Sequence, residues 1–128
     1  MIGLSADHNR VSGLIVDAAL EVHRALGPGL LESVYEQCLA HELGRRQLDV
    51  VRQLTLPVRY KDLCLEGGFR IDLLVDSLVI VKVKAVERLA PVHEAQLLTY
   101  LKLARKRLGL LVNFNVALLK HGLRRVAL

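Results

Sequence analysis

The sequence predicts an α/β domain in which a mixed central β-sheet is flanked by helices. Three observations carry this expectation. Two helical apolar stripes open the chain, the period then falls to two over several strand-length runs, and a later helical stripe separates those runs from two more. Sheet segments on both sides of a helix call for at least one crossover, and helices then cover the sheet.

The first stripe is Val11, Leu14, Ile15, Ala18, Val22, Ala25 and Leu26, with Ser5, Asp7 and Asn9 as candidate caps. Gly27-Pro28-Gly29 ends it, since glycine closes helices and proline cannot continue one. The second stripe is Leu31, Val34, Tyr35, Cys38, Leu39 and Leu43. Leu54, Leu56, Val58 and Tyr60 then alternate with polar neighbours, as a half-buried strand does. Lys61-Asp62 suits a turn, Leu63–Glu66 a short second strand and Gly67-Gly68 a bend or bulge. In the next strand Phe69, Ile71, Leu73 and Val75 are expected on one face and Arg70, Asp72 and Leu74 on the other. LVIVKVK, 78–84, is β-branched enough for a central strand. Pro91 suits a helix start, with Glu94, Leu97, Leu98 and Leu101 sharing a face behind it. Leu108–Phe114 and Leu123–Leu128 complete the expected order ααββββαββ.

With 128 residues, 52% hydrophobic and 24% charged, the chain suits a single globular domain over 1–128. No apolar run approaches the roughly 20 residues of a membrane span, and MIGLSADHNR lacks the apolar core of a signal peptide. Cys38 and Cys64 stand far apart in no metal-like spacing, so two reduced thiols in a cytoplasmic protein are expected. The net charge of +5 permits a polyanionic partner without requiring one. The five aromatics are scattered and offer no stacking platform for single-stranded nucleic acid. No GK[ST] follows the glycines and no G-x-S-x-G is present, so nucleotide-loop and serine-hydrolase chemistry have no support.

Four features stand out. Glu32 lies in GLLESVYE, Asp72 in FRIDLLV, Lys82-Val83-Lys84 in the central strand, and Gln96 and Tyr100 at i, i+4 on the later helix. Glu32 alone reads equally well as a first-turn acid favoured by the helix dipole, worth about 0.3–1 kcal/mol. Asp72 and Lys84 are harder to dismiss, because both interrupt strands that read as interior. Lys102, Arg105, Lys106 and Arg107 form a candidate nucleic-acid-binding patch, the bland alternative being a solvated helix end.

GLLESVY, with Gly29, Glu32 and Tyr35, resembles the motif of the GxxExxY proteins, which are grouped in the PD-(D/E)XK nuclease superfamily. The likeness runs from LIVDAALEVHRALGPGLLESVYE through RIDLLV and LVIVKVKAVERLAPVHEAQLLTYL to LGLLVNFNVALLKHGLRRV. It implies a restriction-endonuclease-like core and Mg²⁺-dependent phosphodiester hydrolysis acting on DNA or RNA. Glu32 and Asp72 would support and ligate the metal, Lys84 would polarise the attacking water, and Gln96 and Tyr100 would form a QxxxY element near substrate.

One residue departs from the pattern. An acid is expected two places before the lysine, and this chain has Lys82. Mg²⁺ wants oxygen ligands and a net negative site, whereas Glu32, Asp72, Lys82 and Lys84 sum to zero. The expectation is a nuclease-fold protein, associated with nucleic acid, with weak Mg²⁺ binding and little or no hydrolysis. The alternatives are an active nuclease with a relocated acid, Glu87 or Glu94, or a non-enzymatic interaction domain used as a homodimer scaffold. Asp72 can share a face with Lys82 only if the intervening loop is odd, so three or five residues are expected there.

Overall fold

A computed structural model describes residues 4–128; Met1–Gly3 of the N-terminal segment lie outside it. Helix α1 spans Ala6–Leu26 and helix α2 Glu32–Arg45. Strands β1 (Val50–Tyr60), β2 (Leu63–Val75) and β3 (Val79–Lys84) follow. Helix α3 (Pro91–Ala104) leads to β4 (Leu108–Asn113), a 3₁₀ turn at Leu119–Gly122, and β5 (Leu123–Ala127). The five strands form one mixed sheet in the order β1-β2-β3-β4-β5, with only β3 and β4 parallel. That parallel pair is the one bridged by α3, as a crossover requires.

Both faces of the sheet are covered. Val11, Ile15, Ala18 and Val22 of α1 and Tyr35, Leu39 and Leu43 of α2 pack on Val79, Val81, Val83, Leu108, Leu110 and Val112. Leu97 and Leu101 of α3 pack with Phe69, Ile71, Leu74, Ile80 and Leu111. Period-two alternation therefore holds along β3, where Val79, Val81 and Val83 face α1 and α2 and Ile80 faces α3. Ser5 caps α1 through its hydroxyl, which accepts from the His8 N–H at 3.2 Å. No helix of the described residues is long and apolar enough to cross a membrane.

Two sequence expectations need correction. The segments Leu63–Glu66 and Phe69–Val75 form one strand, β2, so the element order is ααβββαββ. The glycines interrupt its register but not its course. Leu56 pairs with Phe69 and Val58 with Leu65, so Glu66-Gly67-Gly68 on β2 oppose Pro57 alone on β1. Proline has no N–H to give the ladder and fits this bulge. Gly68 has no room for a side chain, since a Cβ would lie 2.5 Å from Val58 Cγ2.

The second correction concerns which way β2 faces. Phe69 and Ile71 join the α3 side of the core, but Leu73 and Val75 join the α1/α2 side. Both strands of the β1–β2 pair roll over at one step, where Gln53 and Asp72 drop out of the ladder although Arg52↔Leu73 and Leu54↔Ile71 hold the register. Gln53 takes the left-handed conformation there, with φ 54°. Asp72 sits in the rollover, which explains how a carboxylate occupies an interior strand.

Candidate active site

The loop between β2 and β3 has three residues, Asp76–Leu78, and Leu73 pairs with Val81. The same register sets Asp72 across from Lys82, as an odd loop requires. The ladder ends at Leu73, and beyond it the strands diverge. The Asp72 carboxylate fills the gap: its Oδ2 accepts from the Val83 backbone N–H at 2.9 Å. Its Oδ1 faces Lys82 Nζ at 3.5 Å, an ion pair too long for a strong hydrogen bond. Both side chains are shielded, 7% exposed for Asp72 and 15% for Lys82. At an effective dielectric of about 20, attraction at that distance is roughly 5 kcal/mol, set against desolvation of both ions.

Asp72, Lys82 and Lys84 line a cleft of about 360 Å³ together with Glu32, Ser33, Glu36, Arg52, Gln53 and Arg70. Four residues singled out in the sequence, Glu32, Asp72, Lys82 and Lys84, thus meet in one place. Gln96 and Tyr100 do not line it. Tyr100 packs on Phe69 with ring centroids 5.0 Å apart and carries Lys82 Nζ 5.9 Å from its own ring, on the α3 side. Gln96 is half-buried and makes no side-chain hydrogen bond among the described residues.

Helix α2 is aimed at the cleft by the turn before it. Gly29 has φ 102°, a conformation that favours glycine. The Tyr35 hydroxyl donates to Gly27 O at 2.6 Å and accepts from the Leu30 N–H at 3.0 Å. Its buried ring stacks on Phe114 at 4.6 Å. Gly29 and Tyr35 therefore fix the turn, while Glu32, exposed at the cleft rim, makes no hydrogen bond or ion pair among the described residues.

Sequence reasoning missed Glu36, Arg52, Gln53 and Arg70. Glu36, one turn after Glu32, is buried, and its carboxylate accepts from Gln53 Nε2 at 2.6 and 2.8 Å and from Arg52 at 3.1 Å. The i, i+4 spacing in ESVYE was the available signal for it. Glu87 and Glu94, the acids considered as replacements, do not line the cleft, and Glu94 pairs with Arg124 at 3.4 Å.

These donors do not fit a divalent ion as they stand. Three carboxylates face four cations, leaving one net positive charge, and Asp72 and Glu36 already accept from internal donors. Among the described residues no three His, Cys, Asp or Glu side chains are grouped to hold a metal.

A second basic site lies apart from the cleft. Arg59, Lys102 and Arg105 line a groove of about 440 Å³ with Leu56, Pro57, Leu103 and Ala104. Lys106 and Arg107 do not line it: Lys106 Nζ donates to Ser77 O at 2.8 Å, and Arg107 Nε donates to Leu128 O at 2.9 Å.

A mixed sheet between helices, with an acid and a lysine on adjacent strands below a helix acid, defines a nuclease-like α/β core. Residues 9–126 match the model of the PD-(D/E)XK nuclease superfamily, and the chain belongs to that superfamily. No curated protein and no solved structure matches it.

Proposed function

We propose that this chain is a cytoplasmic, nucleic-acid-associated protein of the GxxExxY kind whose metal site is degenerate, with weak or absent phosphodiester hydrolysis. The observation that carries the proposal is the ion pair between Lys82 and Asp72. An ammonium occupies the side of Asp72 where a second carboxylate would complete an oxygen-rich site, and Mg²⁺ would have to displace it. Glu32 and Lys84 are the remaining groups with superfamily-like roles, and neither supplies the missing negative charge. Tyr100 supports the site from α3 through its ring, which lies 5.9 Å from Lys82 Nζ, whereas Gln96 makes no contact with the cleft on which to rest such a role.

The test compares three proteins by Mg²⁺ titration and by nuclease assay on duplex and single-stranded substrates. The protein as it stands should bind Mg²⁺ weakly and cleave little. Lys82→Glu reverses the cleft from one net positive to one net negative charge. It should raise Mg²⁺ affinity about tenfold or more, some 1.4 kcal/mol or above. Adding Asp72→Asn, which keeps an acceptor for the Val83 N–H, should remove that gain. Strong Mg²⁺-dependent cleavage by the unmodified chain would overturn the proposal.

A further inference from the structure

We infer that the groove lined by Arg59, Lys102 and Arg105 is a docking track for the phosphodiester backbone of duplex DNA, separate from the acid-lined cleft. The inference deepens the nucleic-acid reading above and rests on it. Charge is the first support. The groove presents three cations and no carboxylate, and none of the three makes a side-chain hydrogen bond or ion pair among the described residues. In the cleft, by contrast, Lys82 and Arg52 are neutralised by Asp72 and Glu36.

The second support is that the helix dipole accounts for only part of the cluster. Cations in the last turn of a helix are expected on that ground alone, which covers Lys102 and Arg105. Arg59 comes from β1, just past the Pro57 bulge, so its place in the cluster does not follow from the composition of the α3 C-terminal turn. Two elements thus bring unpaired cations to one concave surface. Leu56, Pro57 and Leu103 give the groove an apolar wall, and a low-dielectric wall beside like charges focuses their field.

The third support bears on the partner. No aromatic side chain lines the groove, so it can hold phosphates but cannot stack bases. That suits a duplex, whose bases are already stacked, better than a single strand. Recognition there should be blind to sequence, because phosphates carry none. The geometry also divides the basic run: Lys106 and Arg107 spend donors on backbone carbonyls and lie outside the track.

The test measures binding of a labelled duplex by fluorescence anisotropy over a range of salt concentrations. The unmodified protein is compared with a triple variant, Arg59→Ala, Lys102→Ala and Arg105→Ala, and with a double variant, Lys106→Ala and Arg107→Ala. Circular dichroism verifies folding. Each phosphate left without its cation should flatten the slope of log affinity against log salt by about 0.9. The slope of the triple variant should therefore fall by about 2–3, equally for unrelated sequences, and that of the double variant by less than about 1. An unchanged slope in the triple variant, with duplex binding intact, overturns the groove and leaves the nucleic-acid reading standing. Absence of duplex, single-stranded and RNA binding by the unmodified protein at low salt overturns both. Displacement of the duplex by polyglutamate at equal charge concentration would assign the groove to an acidic protein and overturn the duplex assignment.

Discussion

The cleft around Asp72 and the groove at the end of α3 are both charged, yet their charges are used in opposite ways. In the cleft, carboxylates and cations are interleaved, and Asp72, Lys82 and Glu36 are shielded. The Asp72–Lys82 and Glu36–Arg52 pairs tie β2 to β3 and α2 to β1, while Arg70 and Lys84 make no ion pair among the described residues. In the groove, the cations stand free at an exposed rim. Buried pairs become structural because removing one member leaves the other desolvated and unmatched. Free surface cations cost little to keep and little to lose. The contrast predicts that breaking the buried cleft pairs acts chiefly on folding and that groove substitutions act chiefly on binding.

The largest stability effect should come from Asp72→Ala. It strips Lys82 of its counter-ion and leaves the Val83 N–H without its acceptor. Lys82 keeps some solvent access, so we expect a loss of about 2–3 kcal/mol, toward the lower end for a broken buried pair. Urea unfolding measures it. Adding Lys82→Met should recover much of the loss, because the stranded ammonium goes as well. A loss within the roughly ±0.5 kcal/mol typical of surface changes would erase the distinction between the two regions.

Glu36→Ala should follow, at about 1–2 kcal/mol, since Arg52 is 44% exposed and water can serve it. Gln53 is the sharper probe. Its left-handed backbone is a conformation that costs a non-glycine residue of order 1 kcal/mol, and the Glu36 carboxylate holds it in place. Gln53→Gly in the Glu36→Ala background should therefore restore part of the stability, whereas Gln53→Ala should restore none. Equal unfolding midpoints for the two would show that the rollover is held by β1–β2 pairing and not by this clamp.

The rollover is also where sequence reading reached its limit. The order of elements was legible wherever one apolar period ran undisturbed, as in α1, β3 and α3. The odd loop was legible too, because strand parity alone demands it for Asp72 and Lys82 to meet. Parity failed on β2 at Asp72, which lies opposite the left-handed Gln53, since both strands turn their faces over at that step and neither residue type gives warning of it. The Gly67-Gly68 bulge misled in the other direction: two glycines suggested a break, but strands can absorb unequal lengths and continue. Of the site, Glu32, Asp72, Lys82 and Lys84 were visible as acids and lysines in odd places. Glu36 and Arg52 were not, because charged residues on an amphipathic helix and an edge strand look like solvated faces until tertiary packing buries Glu36 and brings the still half-exposed Arg52 onto its carboxylate.

The smallest expected effect separates stability from binding most cleanly. Arg105 ends α3 with φ 57° and ψ 46°, the left-handed position at which helices favour glycine. For an arginine that conformation costs roughly 1–2 kcal/mol, against which its charge regains about 0.3–1 kcal/mol from the helix dipole. Arg105→Gly should therefore stabilise the fold slightly, by about 0.5–1 kcal/mol after both effects. Arg105→Ala loses the charge but keeps the strain, and should be neutral to mildly destabilising. Both remove one groove cation, so both should flatten the salt dependence of duplex binding by about 0.9 in slope. A more stable protein with a shallower salt slope would mean that arginine is kept at this position for a partner, at the expense of the fold. If Arg105→Gly instead binds duplex with the slope of the unmodified chain, Arg105 is only a helix end, and the contrast between cleft and groove narrows to Arg59 and Lys102.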